Sequence, residues 1–221
     1  MRKHPEITTV VQNINNRDTS MVLGFEERKL RGSGYIIDTL CDKKFRISSR
    51  SFYQINSVQT EKLYSKAIEF AELSGDEVLL DAYCGIGTIG LIASDHVEEV
   101  IGVELNSDAI QDAIANSRLN NVKNARFYKA DASEFIKGLV REKRQVDVLI
   151  LDPPREGSTA DFLGSAKQLS PKKIVYVSCN PETQARDISM IKDAYDIKKI
   201  QPVDMFPFTS HVETVVLMSR K

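Results

Sequence analysis

VLLDAYCGIGTIG, Val78 to Gly90, is the stretch whose reading decides the fold. Branched apolar residues run into Gly85, Gly87 and Gly90, and the chain then continues as apolar helical text. A buried strand passing through a glycine turn into a helix is the opening unit of a layered α/β domain, and the turn lies at the carboxyl edge of the sheet, where ligands bind. Glycine at positions 85 and 87 lets the backbone turn sharply and approach a ligand closely. Taken alone, GIGTIG also satisfies the GxGxxG pattern of nicotinamide cofactors, and a tight structural turn would read the same way.

Downstream the alternation repeats. EVIGVE (99–104), ARFYKA (125–130), VDVLILD (146–152), KKIVYVSC (172–179), YDIKKIQPVD (195–204) and HVETVVLM (211–218) read as strands, with helical text between most of them. The pattern predicts a mainly parallel seven-stranded sheet covered on both faces. The loop MFPFTS between the last two strands is too short for a helical crossover, so that pair is antiparallel. Upstream, TTVVQNI, MVLGF, YIIDTL and KKFRIS read as short strands separated by NNRDTS, a charged stretch and Gly32-Ser33-Gly34. Residues 1–50 are therefore expected to form a small antiparallel β segment and residues 51–221 the main domain. That domain is entered through a helix from about Ser57 to Leu73.

Composition excludes more than it selects. A hydrophobic share of 42% and a charged share of 28% fit a globular chain, not collagen or disorder. No apolar run approaches the roughly 20 residues that span a bilayer, and Met1-Arg-Lys-His-Pro5 leads into no secretion segment, so a cytoplasmic location is expected. Cys41, Cys84 and Cys179 are odd in number and form no CxxC pair, which argues for reduced thiols and against a metal site. Residues 1–50 hold ten Lys/Arg against six Asp/Glu, a basic edge that could hold a polyanion or be only a solvated surface.

Several positions stand out at the predicted sheet edge. Glu104 ends its strand where a carboxylate can accept both ribose hydroxyls, whether the cofactor is a nicotinamide or an S-adenosyl group. Asp131 could meet an adenine amino group or simply cap a helix. Gln54, in SFYQIN, could hydrogen-bond a ligand or sit in a surface loop. In LDPPREG the two prolines hold Asp152 rigidly at the edge, and Arg155 stands where base-amino methyltransferases carry an aromatic residue. Cys179 ends a strand just before a helix starting near Pro181, whose N-terminus favours a thiolate; a buried structural thiol is the alternative. Glu213 begins a strongly apolar strand, so it either faces solvent or is held for use, and His211 is a rival base.

Taken in order, SFYQIN, DAYCGIGTIG, Glu104, DPPREG, SCNPETQARD and FPFTSHVE resemble the RNA 5-methyluridine (uracil-C5) methyltransferase family, from residue 51 to the C-terminus. The antiparallel last pair fits, because it separates a methyltransferase sheet from an all-parallel dinucleotide-binding sheet. The resemblance implies a Rossmann-like, S-adenosyl-L-methionine-dependent fold. It implies cofactor contacts at Gln54, Tyr83, Gly85, Gly87, Thr88, Glu104, Asp131 and Asp152, a nucleophile at Cys179 and a general base at Glu213. It also implies an RNA partner, with 23S ribosomal RNA preferred over the T-loop of transfer RNA, and a monomer. Family members normally carry an N-terminal OB-like domain, and many carry an iron–sulfur cluster; neither is visible in this sequence, which begins where the family's middle segment begins. A nicotinamide oxidoreductase gives no role to DPPREG or SCNP, and a non-catalytic RNA-binding module gives none to Cys179 and Glu213.

Overall fold

The computed structural model describes residues 4–18, 22–24 and 26–221. Two antiparallel ribbons come first: β1 (Val10–Ile14) pairs with β2 (Glu26–Arg31), and β3 (Tyr35–Leu40) with β4 (Lys43–Ser48). The expected strand MVLGF is not the partner of β1. Its Met21 and Phe25 lie outside the described residues, Val22 and Leu23 form a bend, and the charged EERKLR supplies β2 instead. Every residue of β2 is exposed, so no apolar alternation marks it in the sequence.

The main sheet is built from β5 (Val78–Ala82), β6 (Glu99–Glu104), β7 (Ala125–Lys129), β8 (Val148–Leu151), β9 (Lys173–Ser178), β10 (Tyr195–Val203) and β11 (Glu213–Arg220). Its spatial order is β10-β11-β9-β8-β5-β6-β7. The pairs among β5 to β9 are parallel, whereas β11 runs antiparallel to both β9 and β10. The last strand is thus inserted beside β9, and β10 becomes the edge. The chain reverses its direction of travel across the sheet between β5 and β8, which opens a crevice at their carboxyl ends.

Burial on both faces explains the uninterrupted apolar strands. Leu79 of β5, Val175 and Val177 of β9, and Val215 and Leu217 of β11 belong to one core, together with α1 (Ser57–Ala71) and α2 (Thr88–Ala93). Their strand neighbours Leu80, Ile174, Tyr176, Val216 and Met218 belong to the other, which takes residues of α4 (Ala132–Arg141), α5 (Ala160–Leu169) and α6 (Pro181–Ile191). The two-residue period of a strand sends successive side chains to opposite layers. Leu40 and Phe45 of the β3–β4 ribbon are fully buried in the first core. Asp112 of α3 (Ser107–Leu119), itself buried, accepts from the Ser48 backbone and hydroxyl and pairs with Arg46 at 3.0 Å, fastening that ribbon to the sheet layer.

Most helices start at the sheet's carboxyl edge under a side-chain cap. Asn106, Asp131, Thr159 and Asn180 each accept from backbone N–H groups in the first turn of α3, α4, α5 and α6. Such caps satisfy otherwise unpaired donors and fix where each helix begins. Among the described residues no helix is long and apolar enough to cross a membrane.

Candidate active site

The strand ends surround a cavity of about 720 Å³. Its wall includes Gln54, Tyr83, Gly85, Glu104, Asp131, Asp152, Cys179 and Glu213, so eight of the ten positions named from the sequence meet in one place. Gly87 and Thr88 are not on that wall. A Cβ at Gly87, where φ is 80°, would come within 2.8 Å of the Phe127 ring, and Thr88 is buried at the start of α2. Glycine at 87 is thus required by packing beneath the turn. Gly85, with φ 54°, is different, because a Cβ there meets no atom within 4 Å and the position borders the cavity.

One side of the cavity is a cradle of donors and acceptors. Glu104 accepts from the Gly85 N–H at 3.2 Å and the Asn106 N–H at 2.7 Å, one on each carboxylate oxygen, which fixes its plane while leaving lone pairs for ligand hydroxyls. Asp131 caps α4 through Oδ1 and also lines the cavity, so the two alternatives weighed for it are compatible. Leu105, Ala130 and Ala132 add apolar surface between these carboxylates. Tyr83 takes the left-handed conformation at φ 63°, packs on Phe162 and reaches Ser158 Oγ with its hydroxyl at 3.0 Å. Two carboxylates, an apolar slot and an open glycine suit an adenosyl group.

The other side gathers Asp152, Arg155, Cys179 and Glu213. Asn180, the cap of α6, also donates to the Arg155 carbonyl through Nδ2 at 3.2 Å, and Thr183 Oγ1 donates to the same oxygen at 3.1 Å. These bonds clamp the Asp152–Arg155 turn to the start of α6, beside Cys179. The Arg155 guanidinium lies 2.6 Å from His211 Nδ1. Burial first, then the neighbouring Glu213 and Asp152, push the Cys179 thiol up, with the Arg155 guanidinium opposing. The thiolate-favouring helix start expected from the sequence is therefore outweighed in this site. Glu213, 8% exposed, is pushed up to about 6 by burial, with Arg155 opposing. Asp152 is pushed up to about 8 by burial, then by Glu213 and Asp81. Asp81, fully buried at the end of β5, accepts from the Gly90 N–H at 2.8 Å and is pushed up to about 7 by burial.

Sequence reasoning missed Asp81 as a titrating neighbour, and also the part Arg155 plays in linking Cys179, Glu213 and His211. Asp81 stood inside an apolar strand, where a lone carboxylate was a signal. The neighbours of Arg155 come from the ends of two other strands, β9 and β11, and no local pattern joins them.

A seven-stranded sheet whose antiparallel last strand lies beside β9, with an acidic residue ending β6 against a glycine turn, defines the class: the Rossmann-like, S-adenosylmethionine-dependent methyltransferase fold. Residues 35–221 match the family model described as tRNA (Uracil-5-)-methyltransferase. The chain belongs to that family. It is 48% identical over 217 residues to an uncharacterized RNA methyltransferase of Staphylococcus aureus (strain MRSA252), covering 98% of this chain and 48% of that protein. A relative of the same description in Enterococcus faecalis is 46% identical over 217 residues, with the same coverage. Among solved structures, the Pyrococcus abyssi tRNA (uracil-54, C5)-methyltransferase in complex with S-adenosyl-L-homocysteine superposes with a TM-score of 0.80 at 34% identity, covering 96% of this chain and 50% of that one. The chain thus spans about half the length of the relatives it matches.

Proposed function

We propose that this chain carries the catalytic centre of an S-adenosyl-L-methionine-dependent RNA methyltransferase that modifies C5 of a uridine through a covalent bond from Cys179 to C6. The observation that carries the proposal is the meeting of Cys179, Glu213, Asp152 and Arg155 in one cavity with the Glu104–Gly85 cradle. Glu104, Asp131, Gln54 and Tyr83 would hold the cofactor, which supplies an electrophilic methyl group on a sulfonium.

Uracil C5 is a weak nucleophile until a group adds to C6. Cys179 gives up its thiol proton to solvent and adds to C6, and the electron pair of the C5–C6 double bond moves toward C5 and O4. C5 would then take the methyl group as the methyl–sulfur bond of the sulfonium breaks, leaving the neutral thioether S-adenosylhomocysteine. Glu213 removes the C5 proton, the double bond re-forms, and the Cys179 sulfur leaves C6 with its electron pair. With Glu213 pushed up only to about 6, it is mainly ionised at neutral pH and can accept that proton. Asp152, pushed up to about 8, keeps its proton there, so a single carboxylate charge faces the sulfur.

Two RNAs stand as substrates. The sequence resemblance suggests 23S ribosomal RNA, whereas the likeness to the Pyrococcus abyssi protein, named for tRNA uracil-54, favours the transfer-RNA T-loop. The deciding experiment maps 5-methyluridine by mass spectrometry in both RNAs from cells with and without the protein. Loss of the mark from neither RNA would overturn the proposal.

A further inference from the structure

Phe208 is doubly unfavourable as a structural residue. Its ring is fully exposed, at 108%, and its backbone is left-handed at φ 70°. An exposed aromatic ring forgoes the stabilisation of burial, and a non-glycine residue in this conformation carries strain that the surroundings must impose. Such strain gathers where a side chain is held for use. The loop that carries it borders the cavity on either side of Phe208, through Phe206 and His211, and is closed by Thr209 Oγ1 donating to the Phe206 carbonyl at 2.7 Å.

The opposite lip belongs to the segment before α1. Phe52, 73% exposed, and Ile55, 86% exposed, line the same cavity. Asn56 Nδ2 donates to the Met205 carbonyl at 2.7 Å and so ties this lip to the Phe208 loop. The mouth is therefore rimmed by apolar groups from two bonded segments. The wall within carries four carboxyl groups, Glu104, Asp131, Asp152 and Glu213, against one cation, Arg155. A phosphate backbone is repelled by such an interior, whereas an uncharged base can enter.

From this arrangement, and resting on the uridine methylation proposed above, we infer that Phe208 is a base-stacking residue. It packs on the face of a nucleotide next to the target uridine once that uridine has left its stack. Extruding one base exposes the faces of its neighbours, and an aromatic ring exposed on the loop that borders the cavity can replace the lost stacking.

The test compares the wild-type protein with Phe208→Ala and Phe208→Trp on unmodified transcripts of 23S ribosomal RNA and transfer RNA, reading methyl transfer and RNA binding by fluorescence anisotropy. Phe208→Ala should raise KM and the RNA Kd by about ten-fold, the scale of one lost base–aromatic stack, with kcat little changed, and Phe208→Trp should restore both. Affinity for S-adenosylhomocysteine should be the same in all three proteins. A wild-type enzyme that makes 5-methyluridine while Phe208→Ala keeps its KM and Kd would overturn the stacking role alone. Failure of the wild-type protein to form 5-methyluridine on either RNA would overturn the uridine reading and this inference with it.

Discussion

Glu213 stands opposite Cys179 across two adjacent strand ends. β11 and β9 pair through Thr214 and Ser178; Glu213 is the first residue of β11, next to Thr214, and Cys179 is the residue just past the end of β9, next to Ser178. Both side chains line the same cavity, so a base held beside the sulfur is also near the carboxylate. Had β11 run parallel to β9, its first residue would lie at the far edge of the sheet.

Replacement of Cys179 by Ala is expected to abolish methyl transfer, lowering it at least a thousand-fold, because C5 then has no activation. The melting temperature should change little, since the residue is half-exposed outside both cores. A radiolabelled methyl-transfer assay beside a thermal melt checks both; substantial activity in Cys179→Ala would refute the covalent route.

With Glu213→Gln, addition and methylation proceed but the C5 proton stays, so the sulfur cannot leave. A protein–RNA adduct stable to denaturing electrophoresis should accumulate, and it should be missing in the Cys179→Ala, Glu213→Gln double variant. Rapid turnover by Glu213→Gln would assign the base elsewhere, with His211 the first candidate.

Turnover should fall on the acid side with an apparent pKa near 6, because burial raises the Glu213 carboxyl to about that value and its protonated form cannot accept the C5 proton. The pH dependence of single-turnover rates from pH 5 to 8 measures this. A limb near the ordinary glutamate value would mean that Glu213 is not the group titrating.

Glu104→Ala removes the acceptor that both orients the Gly85 N–H and faces the cavity. Binding of S-adenosylhomocysteine should weaken by about ten- to a hundred-fold, equivalent to the loss of one or two charge-assisted hydrogen bonds. Calorimetry reads the change. An unaltered Kd would remove Glu104 from the cofactor site.

Asp81 and Asp152 are buried, and burial raises them from the usual aspartate range to about 7 and about 8. The folded state therefore binds protons that the unfolded state has already released, and stability falls as pH rises from about 4 to about 8. The melting temperature should drop over that window, and Asp81→Asn should flatten the slope. A rising melting temperature between pH 5 and 8 in the ligand-free protein would contradict these surroundings.

Much of this was legible along the chain. The apolar runs ending at Ala82, Glu104, Leu151 and Ser178 gave the parallel strands, since a strand buried on both faces leaves no polar alternation. Gly85 was legible as an open approach, but Gly87 was not legible as a packing glycine, because Phe127 reaches it from 40 residues further along. The charged stretch Glu26–Arg31 was not legible as a strand because β2 buries nothing and so carries no period. Burial, followed by the nearby Glu213 and Asp152, raises the Cys179 thiol, opposite in direction to the helix-start effect expected from the sequence.

The order of residues by itself determined the strand–turn–helix repeats, the antiparallel final pair and which side chains are candidates at the sheet edge, because propensity, periodicity and loop length act locally. Only the folded chain decided that β11 lies beside β9, that Arg155 reaches His211 on the same cavity wall as Cys179, and that buried carboxyls hold their protons near neutrality. Those outcomes depend on distances and desolvation between segments remote in sequence.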